Sequence, residues 1–352
     1  MEFVLNGTEY GPLNPYVIAE IGVNHEGDLD RAKRLIDLAA QGGAHAAKFQ
    51  TYKAETLAAK GSSPAYWDQS EEAADSQFAL FKRWDSFGPD DYRALADHCA
   101  GRNVDFLSTP FDLDAVDLLA PMMPVVKIAS ADLTNVPLLR KVAATGRPTI
   151  MSVGAARMDE VATAVAELEQ AGAASITLLH CVLNYPTPPA QARLAQIPEL
   201  QRLFGDRCAI GYSDHVRPKP DGSMPALEMA ALMGAAVVEK HFTDDKSGVG
   251  NDHYHAMTSG DLKGFMDRLV EWRRLRGEVG VDLRGQGKAV QNARRRIVSK
   301  VDIAAGESLA ADQLIALRSN TGIEIAHWDR VLGQKARRTI TAGAPLDWAD
   351  LG

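Results

Sequence analysis

A chain of 352 residues is too long for one ordinary small domain, so one large domain with a smaller companion is the expected arrangement. Its formal net charge of −8 argues against a general nucleic-acid binder, because phosphate backbones reward clustered Lys and Arg. Hydrophobic residues at 46% and charged residues at 24% are those of a soluble globular protein, and a net-negative chain that binds an anion must concentrate positive charge locally, which makes individual buried lysines informative.

The opening MEFVLNGTEY reads as a β-hairpin, with Asn6-Gly7 supplying the positive φ angles of a tight turn. It lacks the basic start and apolar core of a signal peptide. No apolar run approaches the ~20 residues that span a bilayer. Cys99, Cys181 and Cys208 are odd in number and widely spaced, so neither a disulfide framework nor a CxxC zinc site is expected. A cytoplasmic protein with no membrane or nucleic-acid partner fits these features.

After Pro15 a pattern repeats: a short apolar run, a polar loop, then an amphipathic helix. The apolar runs cover 16–22, 44–50, 104–111, 125–130, 148–154, 175–182, 208–215 and 235–242. Between the first two, Leu29, Ala32, Leu35, Ile36 and Ala39 fall on one helical face, and Gly42-Gly43 ends the helix. Eight strand–helix units favour a closed (β/α)₈ barrel over an open parallel sheet. One interval, carrying GSSPAYWDQSEEAADSQFALFKRWD, is much longer and reads as an excursion over one barrel end with helical portions.

The tail changes character. DIAAGESLAADQL (302–314) and TITAGAPLDWADL (339–351) align without gaps, each reading as strand, Ala-Gly turn, strand and short helical turn. They mark a small pseudo-symmetric β domain. The expected organisation is a barrel domain over 1–283 including the hairpin, a charged linker over 284–296, and the small domain over 297–352.

In such barrels the catalytic residues gather where the strands end. Here the ends offer Glu20, Lys48, Gln50, Ser108, Thr109, Lys127, Ser130, Ser152 and His180, then Ser213, Asp214, His215, Glu239, Lys240 and His241. The two-residue period of a strand sharpens this set. Lys48 and Gln50 share a face, as do Ser213 and His215, and Glu239 and His241. Phe49, Tyr212, Asp214 and Lys240 take the outward parity. His215 and His241 end neighbouring strands about 4.8 Å apart, so they can reach one divalent ion; manganese, iron, cobalt and zinc all suit such a pair. The alternative is two satisfied core histidines. Lys48 and Lys127 lie inside apolar runs, which implies an anionic ligand, a Schiff base, or an ion pair with Glu20 or Glu239. The surrounding hydroxyls would suit a small molecule carrying both phosphate and carboxylate. The loop NDHYHAM (251–257) reads as a surface segment whose histidines carry little weight.

YVIAEIGVNHEGDLDRAKRLIDLAAQGGAHAAKFQTYKAETL resembles the opening of the N-acetylneuraminate (sialic acid) synthase family. STPFD, VKIASADLTNVPLL, LLHCVLNYPTP, IGYSDH and EKHFTDDK continue the likeness in order, and the tail is similar to the antifreeze-like (SAF) module, a β-clip fold. The resemblance implies condensation of phosphoenolpyruvate with N-acetylmannosamine or a related acetamido sugar, releasing phosphate and giving a nine-carbon 2-keto acid. It implies that Lys48, Thr109, Lys127, Ser130, Ser152 and Ser213 hold phosphoenolpyruvate. Glu20 and Glu239 match acidic residues of the reaction region, and Gln50, Tyr185 and Asp252 face the sugar. His215 and His241 match the ligands of a divalent metal, manganese foremost, with magnesium or cobalt as alternatives. Arg318 matches an arginine that reaches the partner subunit's site in a domain-swapped homodimer.

Two departures concern the sugar side. Asp132 stands where the family often has Glu, and Leu183 stands where an Asn contacts phosphoenolpyruvate, leaving Asn184 as its candidate replacement. Pseudaminic and legionaminic acid synthases, which use diacetamido hexoses, are the neighbouring readings. A Schiff-base pyruvate aldolase and a non-enzymatic saccharide-binding protein are the remaining ones.

Overall fold

The computed structural model describes residues 2–65, 67, 69–70, 73–248 and 252–352. Tyr66, Asp68, Glu71 and Glu72 of the long excursion, and Asn251 of the NDHYHAM loop, lie outside the described residues. The chain divides into two compact units after Arg276.

At the start, β1 (Phe3–Leu5) and β2 (Thr8–Tyr10) form the expected hairpin, with Asn6 and Gly7 both at positive φ. Its Phe3 ring packs 5.4 Å from Tyr16, at the end of the barrel where the strands begin.

All eight apolar runs become parallel strands: β3 (Tyr16–Gly22), β4 (Ala46–Thr51), β5 (Asp105–Pro110), β6 (Val126–Ile128), β7 (Thr149–Ser152), β8 (Ile176–Cys181), β9 (Cys208–Asp214) and β10 (Val237–His241). Each lies beside the next in sequence, and β10 pairs with β3 to close the ring. β5 and β6 pack against each other without a hydrogen-bonded ladder. The structure is the (β/α)₈ barrel that the pattern predicts.

The helix Leu29–Gly42 shows why the local sequence folds as it does. Asp28 caps it by accepting from the Asp30 and Arg31 amides, and Ala32, Leu35, Ile36 and Ala39 form its buried stripe. Gly43 ends it in the left-handed conformation at φ 93°, where a Cβ would be strained. The long interval between β4 and β5 carries the helices Ala54–Leu57, Gln77–Trp84 and Pro89–Gly101. Among the described residues no helix is long and apolar enough to cross a membrane. The three cysteines are unpaired and buried.

The second unit pairs β11 (Arg295–Ser299) with β12 (Leu314–Arg318) antiparallel. The segment read as a linker holds the short helix Gly287–Asn292 and the first residues of β11. The internal repeat is visible in three dimensions: Ile303 bridges Ile340, and the matched pairs Leu309/Leu346 and Leu314/Leu351 are all buried in one core. Gly306 and Gly343, the matched turn glycines, adopt φ of 86° and 84°. The segments before each turn form isolated bridges rather than full strands, while the helical turns Ala311–Gln313 and Trp348–Asp350 are as expected.

Close packing of the barrel makes one glycine indispensable. A Cβ on Gly211 of β9 would stand 2.3 Å from the Val237 carbonyl oxygen and 2.5 Å from Leu179 Cδ2, whereas one on the helical Gly101 would meet nothing within 4 Å. Gly211→Ala should cost about 1–3 kcal/mol of stability. Gly101→Ala should be neutral or gain up to about 1 kcal/mol. Urea denaturation of both variants checks the contrast, and equal midpoints would contradict the packing account.

Candidate active site

The floor of the site follows from strand register. Closure sets His241 opposite Glu20, and Glu20 in turn lies opposite Lys48 on the next strand. Lys48 Nζ is 2.6 Å from Glu20 and 3.5 Å from Glu239, and it donates to Thr109 Oγ1 at 3.1 Å. Lys127 Nζ donates to Ser152 Oγ at 2.8 Å and to the Ile128 carbonyl at 3.1 Å, with Glu239 3.7 Å away. Ser213 Oγ donates to Glu239 at 2.9 Å, and Gln50 donates to Glu20 at 3.0 Å. Ser130 Oγ accepts from the Gly154 amide at 2.9 Å; a Cβ on Gly154 would crowd that oxygen at 3.0 Å.

These charges are buried, and their proton affinities follow their neighbours. Burial raises the Glu20 carboxyl above its ordinary value, with Lys48 offsetting part of the effect. Burial also works to raise Glu239, yet Lys127 and Lys48 hold it below the usual range. Burial would lower Lys48, but Glu20 and Glu239 carry it upward instead. Burial prevails at Lys127, which is lowered.

Above the floor lies an imidazole cluster. The His241 ring is 5.5 Å from His215 and 4.9 Å from His255, and the Tyr185 ring lies tilted against His215 at 4.2 Å. His215 Nδ1 lies 2.7 Å from the Val182 carbonyl, which leaves its Nε2 for a ligand. His241 Nδ1 is 3.2 Å from Asp252. His241, Asp252 and His255 each offer a donor atom within 4.8 Å of the others. Nδ1 of His241 and both nitrogens of His255 are buried without a hydrogen-bond partner, so this donor set fits a divalent ion.

Floor and cluster open into one cavity of about 520 Å³. Glu20, Lys48, Gln50, Thr109, Lys127, Ser130, Asp132 and Ser152 line it, as do Tyr185, Ser213, His215, Glu239, His241 and Asp252.

The NeuB family profile matches residues 35–280, and the SAF domain profile matches residues 294–352. The chain belongs to the NeuB family. It is 35% identical to the N,N'-diacetyllegionaminic acid synthase of Campylobacter jejuni, over 92% of this chain and 96% of that one. It is 34% identical to the N-acetylneuraminate-9-phosphate synthase of Drosophila melanogaster, over 73% of this chain and 68% of that one. The crystal structure of an N-acetylneuraminic acid (sialic acid) synthetase from Leptospira borgpetersenii in complex with citrate matches with a TM-score of 0.69. Identity to it is 29%, covering 82% of this chain and 95% of that one.

Within this NeuB-family chain some expected residues lie elsewhere. Asn184 is exposed and donates to Gln191 at 2.7 Å; Leu183 takes the cavity position, so Asn184 does not replace the missing polar group. Ser108 has the parity opposite to Thr109 and bonds to Thr51 Oγ1 at 2.7 Å behind the floor. His180 likewise faces the helix layer, 2.7 Å from the Ala192 carbonyl. Asp214 and Lys240 pair at 2.8 Å on the outward side, as their parity predicts. Arg318 is exposed at the end of β12 in the second unit.

Other residues carry more than the sequence suggested. His253 and His255 are buried rather than on the surface, because the loop after β10 folds back over the strand ends. Trp67, Leu80, Phe81 and Trp84 from the excursion, with Phe111, form an apolar wall of the cavity. Only the clustering of aromatics in that excursion hinted at this.

Burial holds His215 and His25 each at about 4, against an ordinary 6.5. Their stabilising contribution is complete above about pH 6.5, because below it the unfolded chain binds protons that the folded chain refuses. It is lost as pH falls toward 4. Urea midpoints measured in chelator should therefore drop between about pH 7 and pH 5, and a flat profile would contradict the burial of these rings.

Proposed function

We propose that this protein condenses phosphoenolpyruvate with an acetamido aldose, N-acetylmannosamine or a relative, giving N-acetylneuraminate or a related nonulosonate and phosphate. The observation that carries this reading is the pairing of two buried lysines, ringed by hydroxyls, with a neutral imidazole cluster in one cavity. Synthesis of legionaminic or pseudaminic acid from a diacetamido hexose is the same chemistry on a neighbouring sugar. Names borne by relatives in Campylobacter jejuni and Helicobacter pylori support that variant.

Lys48 and Lys127 neutralise the phosphate and carboxylate, and Thr109, Ser130, Ser152 and Ser213 orient them by hydrogen bonds. C3 of the enol attacks the aldehyde carbon, which places positive character on C2. Water adds at C2, and the tetrahedral intermediate expels phosphate. Glu20, whose carboxyl is raised by burial, is suited to take the proton of that water, while Glu239 keeps both lysines charged. Gln50, Asp132, Tyr185 and Asp252 face the sugar. His215 and His241 would hold a divalent ion, manganese before magnesium or cobalt, supplying Lewis acidity at the aldehyde oxygen. Arg318 completes the site from the partner subunit in a domain-swapped homodimer, and the reaction belongs to the cytoplasm.

A second reading has one observation in its favour: burial lowers Lys127, as a Schiff-base lysine requires. Borohydride trapping with pyruvate would support an aldolase, and phosphate release would count against it.

The deciding experiment is a phosphate-release screen with manganese and phosphoenolpyruvate against N-acetylated and diacetamido hexoses. At least one sugar should release phosphate in step with a nine-carbon keto acid, and release with none would overturn the reading. His215→Ala should lower kcat/KM about 100-fold or more. Full activity in that variant after metal stripping and re-addition would sink its assignment as a ligand.

A further inference from the structure

The two histidines of the loop after β10 are both buried, but only one is satisfied. His253 Nδ1 lies 2.7 Å from Thr243 Oγ1 and its Nε2 lies 3.2 Å from Glu26, which Arg31 holds in turn at 2.6 Å. That imidazole is fully accounted for as a structural clasp. His255 is not. Neither of its nitrogens has a hydrogen-bond partner, although the ring is completely buried. A neutral imidazole carries one N–H and one lone pair, and leaving both unmet in the interior is costly unless something else engages them.

Local geometry shows where His255 is aimed. Residues 253–255 form one turn of 3₁₀ helix, with Asp252 at its N-cap. A 3₁₀ turn eclipses side chains three apart, so Asp252 and His255 share one side while His253 turns away to its clasp. Asp252 Oδ1 is accordingly 3.7 Å from His255 Nε2, and Asp252 Oδ2 is 3.2 Å from His241 Nδ1. The His241 ring stands 4.9 Å from His255.

The loop is fixed on both flanks. The Asp252 amide donates to Asn24 Oδ1 at 3.2 Å, and Asn24 Nδ2 donates to the Phe242 carbonyl at 3.0 Å. The Met257 amide donates to the His241 carbonyl at 2.7 Å. Asn24 and Glu26, in the GVNHEG stretch that supplies nothing to the floor, thereby hold Asp252 and His255 against β10.

We propose that His255 is a further metal ligand, joining His215 and His241 on a divalent ion with Asp252 as the carboxylate of the set. This rests on the reading that the site carries such an ion. A donor set of imidazoles and one carboxylate, with open positions left for substrate oxygens, suits manganese, iron, cobalt or zinc. His255 thus belongs to the metal's coordination rather than to the apolar packing of the loop.

The test uses the full-length protein stripped with chelator. Manganese affinity is measured by calorimetry for wild type, His255→Ala and His255→Asn, and the visible spectrum of the cobalt-loaded protein is recorded for each. Wild type should bind one ion per chain. His255→Ala should bind manganese at least tenfold more weakly, and His255→Asn, which keeps a polar side chain should the alanine fail to fold, should alter the cobalt band. Unchanged affinity and an unchanged cobalt spectrum in a folded variant would overturn the assignment while leaving the metal reading intact. Absence of any binding by wild type would remove the metal reading, and this proposal with it.

Discussion

Four buried charges, Lys48 and Lys127 against Glu20 and Glu239, govern how the rest of this barrel is built. Two ammonium groups can sit among apolar strands only because carboxylates facing them inside the barrel compensate them, and removing one partner of a buried pair typically costs about 3–5 kcal/mol. The compensation is divided across the closure. Glu20 lies on β3 and Glu239 on β10, the strands whose pairing completes the ring. A register slip of one residue would turn Lys48 into the helix layer and strand both glutamates. Barrel closure, strand register and ligand chemistry are therefore one constraint. An anion entering this floor competes with the glutamates for the lysines, and the hydroxyls of Thr109 and Ser152 already touch those ammonium groups.

A second charged layer stands behind the first and serves a different end. Lys240 and Asp214, on the outward parity, pair at 2.8 Å with almost no exposure. Lys240 also donates to the Val216 carbonyl, while Asp214 accepts from Tyr212 and the Val216 amide. The backbone on either side of His215 is thus tied to β9 and β10 from the helix side. With Nδ1 engaged by the Val182 carbonyl, the ring has one nitrogen left to offer. The inward residues line the cavity, and the outward residues at the same strand ends fix where the inward ones stand.

The features legible in the sequence are those with short periods. Alternation by two separated Lys48 and Gln50 from Phe49, and Glu239 and His241 from Lys240. Asn6-Gly7 announced its hairpin, and the gapless tail repeat announced matched pairs that prove to share one core. What escaped was set by distant parts of the chain. No local pattern ties Trp84 to Phe111, since the excursion reaches the cavity only once the helix Gln77–Trp84 is folded. The NDHYHAM loop looked like surface because its burial depends on Asn24 and Glu26, more than 200 residues earlier. Asn184 is a candidate only as the replacement that the family resemblance suggests for Leu183; in the fold the alternation of β8 runs on past its end, so Leu183 and Tyr185 line the cavity and Asn184 turns away to Gln191.

The charge balance of the floor finally explains why lysines alone do not complete this site. Two lysines facing two glutamates carry no net positive charge, yet the expected ligand brings both a phosphate and a carboxylate. Two features of the chain relieve the excess. Burial raises Glu20, so its carboxylate readily takes up the proton that water releases at C2 and loses its negative charge while the phosphate is still on the floor. The imidazole cluster is kept neutral by burial, so it can receive a divalent cation without first shedding protons. A neutral ligand would leave the glutamates paired with the lysines and the imidazole cluster without a partner. The buried lysines of the floor suit an anion, and the neutral imidazoles suit a cation.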